Sequence, residues 1–92
     1  KSWKLPDNCY DNHYPCIIHG VGLCDEWPLV AYPNRDFSNA DYSANFEENM
    51  TICVESYIGE VGGKEGIKLE DQFVVTKDGL KQLSSFPYEI DI

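Results

Sequence analysis

The sequence predicts an α+β domain built on an antiparallel sheet with few helices, on three observations. Met50 to Tyr57 and Ile67 to Thr76 are rich in β-branched, aromatic and aliphatic residues, side chains that fit a pleated, half-buried surface. The segment between them, Glu60 to Gly66 with Gly59 just before it, is glycine-rich; it suits a wide hairpin loop that makes the two strands antiparallel neighbours. Helix signals concentrate at the amino end, where Pro6 followed by Asp7 opens a short helix to about His13.

The remaining elements follow in order. Cys16-Ile17-Ile18 is a brief apolar run that reads as a strand or extended segment ending at His19, where the glycine-spaced turn His19-Gly20-Val21-Gly22 begins. From Trp27-Pro28 to about Asn45 the chain reads as loop, with Pro33-Asn34, Ser38-Asn39, several aspartates and little periodicity. Glu47-Glu48-Asn49 is a turn in which Asn49 accepts a left-handed backbone. Lys77-Asp78-Gly79 is a tight turn; Leu80 to Ser85 reads equally as a short helix or a last strand, and Phe86-Pro87-Tyr88 begins a tail.

Ninety-two residues form one small domain with a modest core. Because the chain begins at Lys1 rather than Met, it reads as a processed or cut piece of something longer. No apolar run is long enough to span a bilayer, and the amino end has no secretory h-region. Sixteen acidic against seven basic residues, a net charge of −9, argue against a nucleic-acid or anionic-membrane partner. Cys9, Cys16, Cys24 and Cys53 contain no CxxC pair, so the expectation is reduced, partly buried thiols in a cytoplasmic protein, not a disulfide scaffold. Asn49-Met50-Thr51 matches a glycosylation acceptor but reads better as a turn before a strand.

The chemistry centres on His19, Glu55 and Glu70, an imidazole and two carboxylates able to hold a divalent metal through nitrogen and oxygen. Strand side chains alternate faces, so Glu55 and Glu70 point to the same side if the register allows. Glu70 shares its face with Gln72 and Val74, while Leu69, Phe73 and Val75 face the other way. A carboxylate in a stretch otherwise fit for burial needs a partner, and a metal ion would supply one.

Three ordered motifs carry a resemblance. His19-Gly20-Val21-Gly22-Leu23, Asn49-Met50-Thr51-Ile52-Cys53-Val54-Glu55, and Gly66-Ile67-Lys68-Leu69-Glu70-Asp71 with Val74-Val75-Thr76 and Asp78-Gly79 resemble the carboxyl-terminal part of the pita-bread metallopeptidases. That family includes aminopeptidase P, prolidase, methionine aminopeptidase and the non-peptidase creatinase. The resemblance runs from about residue 14 to 86 and implies the C-terminal half of a pita-bread fold, a curved antiparallel sheet, with residues 1–92 as a partial catalytic domain. It implies that His19 is a histidine ligand, Glu55 a glutamate ligand and Glu70 the glutamate that bridges two metals, a divalent pair of Mn, Fe, Co or Zn. Two further aspartate ligands come from preceding sequence in the family and have no counterpart here. The chain thus supplies three of five ligands and alone is expected to bind metal weakly or not at all.

Peptidases of the family usually place another histidine a few residues after the HGxG motif; here the stretch is Cys24-Asp25-Glu26-Trp27-Pro28. Tyr14 to Pro28 is similar to the dimethylsulfoniopropionate lyase branch, which implies Asp25 as the base that takes an α-proton and Tyr14 as a site-lining tyrosine. Asp25 reads equally as a turn-capping carboxylate, and Tyr14 and Trp27 as packing or as cation–π partners of a sulfonium. His13, Glu26, Glu47, Glu48, Glu60 and Glu65 read as structural or solvated.

Two functions remain open from the sequence. One is a metal-dependent enzyme, either a lyase acting on a small zwitterion or an Xaa-Pro peptidase; the other is a truncated piece that turns over nothing. A half-domain exposes a sheet edge and an apolar face, so the expected partner is the missing half of its own domain or another copy of the chain.

Overall fold

The computed structural model describes residues 6–9, 11–32 and 45–88. Among the described residues five strands form one sheet: β1 (Cys16–Val21), β2 (Asp25–Ala31), β3 (Thr51–Gly59), β4 (Gly66–Thr76) and β5 (Gly79–Gln82). Their spatial order is β2-β1-β3-β4-β5, and every pairing is antiparallel. The helix expected from Pro6 to His13 is instead one 3-10 turn, Asp7–Cys9. Pairing with β3 competes with it: His13 bridges Ile58, the Tyr14 amide donates to the Tyr57 carbonyl, and the Gly59 amide donates to the Asn12 carbonyl.

The β3–β4 hairpin matches the expectation closely, running in unbroken register from Thr51↔Val74 to Gly59↔Gly66. Asn49 has the expected left-handed backbone, with φ 73°. It seats the start of β3 through amide contacts to Val75 that continue the hairpin. Lys77 and Asp78 turn β4 into β5, so the ambiguous Leu80 segment is strand through Gln82.

Two expectations near His19 are corrected. The turn expected to begin at His19 is strand: β1 continues through Gly20 to Val21. The loop expected from Trp27 is in part strand β2, because Leu29, Val30 and Ala31 pair with β1. Pro28 had argued against a strand, but β2 is an edge of the sheet, where a missing N–H costs nothing. The register jumps between His19↔Leu29 and Gly20↔Glu26, so Trp27 and Pro28, joined by a cis peptide bond, form a bulge. A Cβ on Gly20 would collide with the Trp27 carbonyl, so glycine lets the bulge fold over β1. The loop expected from Pro33 to about Asn45 lies almost wholly outside the described residues.

Among the described residues the buried apolar core is Ile52, Cys53, Cys16, Cys9, Tyr32 and Val75. His13 is structural, packing its ring tilted against Tyr32 at 4.4 Å between ring centroids and donating from Nδ1 to the Tyr14 carbonyl. The four cysteines are unpaired thiols; Cys24 is exposed, against the expectation of partial burial. Among the described residues no helix is long and apolar enough to cross a membrane.

Candidate metal centre

Strand pairing brings the three expected ligands to one face. Glu55 and Glu70 are direct cross-strand partners, and His19 pairs with Cys53, two residues before Glu55. The period of two therefore adds Cys53 and Lys68 to the same face, since Cys53 pairs with Gln72 and Lys68 with Tyr57. The part of this face on β1 and β3 is polar yet buried, with His19 5% exposed, Glu55 4% and Cys53 0%, while Lys68 and Glu70 on β4 are exposed.

The hydrogen-bond pattern leaves electron pairs facing each other. His19 Nδ1 lies 2.8 Å from the Gly20 carbonyl, and a carbonyl only accepts, so Nδ1 carries the proton. A backbone carbonyl on one ring nitrogen fixes the tautomer of a metal-ligating histidine. His19 Nε2 then points at Glu55 Oε1, 3.3 Å away. A neutral imidazole nitrogen and a carboxylate at that distance need a proton or a metal ion between them. Cys53 Sγ and Glu70 Oε1, 2.8 Å apart, pose the same question and answer it in the metal-free chain with the thiol proton.

Lys68 neutralises the carboxylates from the other side. Its Nζ lies 2.8 Å from Glu55 Oε2 and 2.9 Å from Glu70 Oε2. The contact to Glu55 is an ion pair without hydrogen-bond alignment, and Glu55 Oε2 has no hydrogen-bond partner though its side chain is only 1% exposed. The two carboxylates hold the Lys68 ammonium well above the ordinary lysine range, Glu55 first. The Cys53 thiol and then Lys68 draw the Glu70 carboxyl below its usual range. Burial, reinforced by Glu70, pushes the Cys53 thiol up to about 12. Cys16, 3.8 Å from Glu55 Oε1, is pushed up to about 11 by burial and Glu55.

The two residues expected to do chemistry lie beside this cluster. Asp25 Oδ1 is 3.7 Å from His19 Nδ1, with its side chain 70% exposed. It starts β2 opposite Val21, and the Trp27–Pro28 bulge follows directly. Tyr14 has the Lys68 ammonium 5.1 Å from its ring centroid. The Glu55 charge and burial raise its hydroxyl, so it stays a proton donor at neutral pH.

His19, Cys53 and Glu70 each offer one donor atom within 4.8 Å of the others. Glu55, expected as a ligand, is not part of that group, although its Oε1 lies 3.3 Å from His19 Nε2 and it pairs across the strands with Glu70; the nitrogen, sulfur and oxygen donors of the group fit a divalent transition metal. Cys53 and Lys68 carry no motif signal of their own; the sequence signal that reaches them is the strand period of two, since each stands two positions before a motif glutamate.

Comparison of the sequence with known proteins identifies its family. Residues 5–77 match metallopeptidase family M24, and the chain belongs to that family. It is 53% identical over 76 residues to the dimethylsulfoniopropionate lyase DddP of Roseobacter denitrificans, a match covering 83% of this chain and 17% of that protein. It is 45% identical over 89 residues to the DddP of Roseovarius nubinhibens, 97% of this chain and 20% of that one. The Xaa-Pro dipeptidase of Pyrococcus horikoshii is 33% identical over 84 residues, 88% of this chain and 20% of the dipeptidase. The chain thus spans about a fifth of the length of these relatives. Its mostly antiparallel sheet with almost no helix fits the family.

Proposed function

We propose that the chain is the C-terminal part of a pita-bread catalytic domain in a metal-dependent lyase that cleaves a small sulfonium zwitterion such as dimethylsulfoniopropionate. The observation that carries this reading is the placement of Asp25 within 3.7 Å of His19, beside the converged His19, Glu55 and Glu70. Identity of 45–53% to two proteins named for that lyase activity supports it, as does a carboxylate where family peptidases carry a histidine.

His19, Glu55 and Glu70 hold the metal, with two more ligands supplied by the rest of the domain. A divalent ion, when bound, supplies Lewis-acid polarisation of a substrate oxygen. Asp25, exposed and next to His19, takes the proton from the carbon beside the substrate carboxylate. The C–H electron pair becomes the new C=C bond as the carbon–sulfur bond breaks. Dimethyl sulfide leaves with the C–S electron pair, and acrylate and one proton complete the balance. Tyr14 donates a hydrogen bond to the bound carboxylate. Lys68, over the Tyr14 ring, adds positive charge at that end.

Replacing Asp25 with Asn tests the assignment. The expected outcome is loss of turnover by about 10²–10⁴-fold, the usual share of a general base, with bound metal unchanged. Loss of metal in that variant would make Asp25 a ligand or a structural carboxylate. The second reading, an Xaa-Pro peptidase, rests on the 33% identity to the dipeptidase, and cleavage of an Xaa-Pro dipeptide but not dimethylsulfoniopropionate would establish it. The isolated 92-residue chain, lacking two ligands, is expected to turn over neither. It is also expected to associate with another copy or with the rest of its domain; a well-folded monomer by light scattering would contradict that.

A further inference from the structure

We propose that Cys53 is a metal ligand, so that the centre binds its ion through sulfur as well as nitrogen and oxygen. The proposal rests on the metal-binding reading above and concerns a residue that reading does not use. Cys53 Sγ belongs to the group of three donor atoms, with His19 and Glu70, that lie within 4.8 Å of one another. It is fully buried at the centre of the face, paired across β1 with His19. Its 2.8 Å approach to Glu70 Oε1 sets sulfur and carboxylate oxygen close enough to share one ion. On the same face the buried Glu55 has Oε1 3.3 Å from His19 Nε2, and its Oε2 is neutralised by a cation alone, the Lys68 ammonium at 2.8 Å.

When the ion enters, the S–H bond gives way to a metal–sulfur bond and the proton leaves to solvent. Glu70 Oε1 exchanges its thiol donor for the metal. Thiolate favours softer ions, so the proposal narrows the metal to zinc, cobalt or iron ahead of manganese. Cys16 faces Glu55 at 3.8 Å but is not in the group of three, and serves as the internal control.

The test is cobalt(II) loading of the full-length protein, read by absorption. Wild type and Cys16→Ser are expected to show an intense near-ultraviolet sulfur-to-cobalt charge-transfer band, which Cys53→Ser loses at unchanged cobalt stoichiometry. Zinc-edge X-ray absorption on wild type needs no variant and is expected to show a zinc–sulfur distance of about 2.3 Å. Cys53→Ser is also expected to lower the preference for zinc over manganese by at least about tenfold, following ligand softness. A loaded wild type with no charge-transfer band and only nitrogen and oxygen neighbours would overturn the proposal and leave the metal site standing. A band that persists in Cys53→Ser would overturn it too. Failure of wild type to bind any metal would instead overturn the functional reading on which this one rests.

Discussion

The two faces of the sheet invert the usual rule of burial. On the site face, His19, Cys53 and Glu55 are almost wholly buried. By register Ile67, Leu69 and Leu80 lie on the reverse face with Ile52, and these three are exposed by 56%, 43% and 53%. Burying carboxylates costs stability unless they are paired, and even a good pair returns little more than its desolvation penalty. Covering the polar side chains that β1 and β3 bring to the site, while Lys68 and Glu70 of β4 stay exposed and aliphatic side chains lie open behind them, organises the sheet around the site. The reverse face gains from burial at Ile52, beside β1, and at Val75, near the end of β4.

Substitutions on the reverse face break or sharpen this contrast most strongly. Ile52, 1% exposed, is expected to cost about 2–5 kcal/mol when replaced by Ala, the range for a filled core position. Leu69→Ala on the same face is expected to stay below about 1 kcal/mol, since its side chain is already partly in water. Urea denaturation of both variants checks the difference. Equal, large losses would mean that something covers Leu69 as well.

A smaller effect is expected on the site face. Lys68→Met leaves Glu55 buried without its counter-ion. Breaking a fully buried pair costs about 3–5 kcal/mol. The Lys68 side chain is 43% exposed, so solvent screening reduces the expected loss to about 1–2 kcal/mol. Saturating zinc is expected to reverse most of it, because the ion takes over the neutralisation of both carboxylates. Denaturation with and without zinc reads this directly; a loss that zinc leaves unchanged would make Lys68 a purely structural residue.

The same contrast explains what was legible in the sequence. β3 and β4 could be read because β-formers are bounded by a left-handed Asn49 and a glycine-rich loop, both local signals. The pairing of Glu55 with Glu70 follows once that hairpin is in register. β2 could not be read, since Pro28 argues against a strand and only an edge position with a bulge over Gly20 accommodates it. The amino-terminal helix was misread for a similar reason: Pro6-Asp7 is a real start signal, but backbone pairing of residues 12–14 with β3 stops it after one turn. Lys68 and Cys53 were within reach of the period of two. Their roles became visible only when distances placed an ammonium between two glutamates and a thiol against one of them.

The proposed metal site stands or falls with its ligands His19, Glu55 and Glu70. Its most direct test is calorimetric titration of zinc into the metal-free full-length protein and its Glu55→Ala form, with metal content measured after dialysis. Outer-shell partners alone are worth about 10–100-fold in metal affinity, so removing this ligand is expected to weaken binding by more than about 100-fold while the fold persists. Zinc affinity and retained metal equal in the two forms would contradict the account.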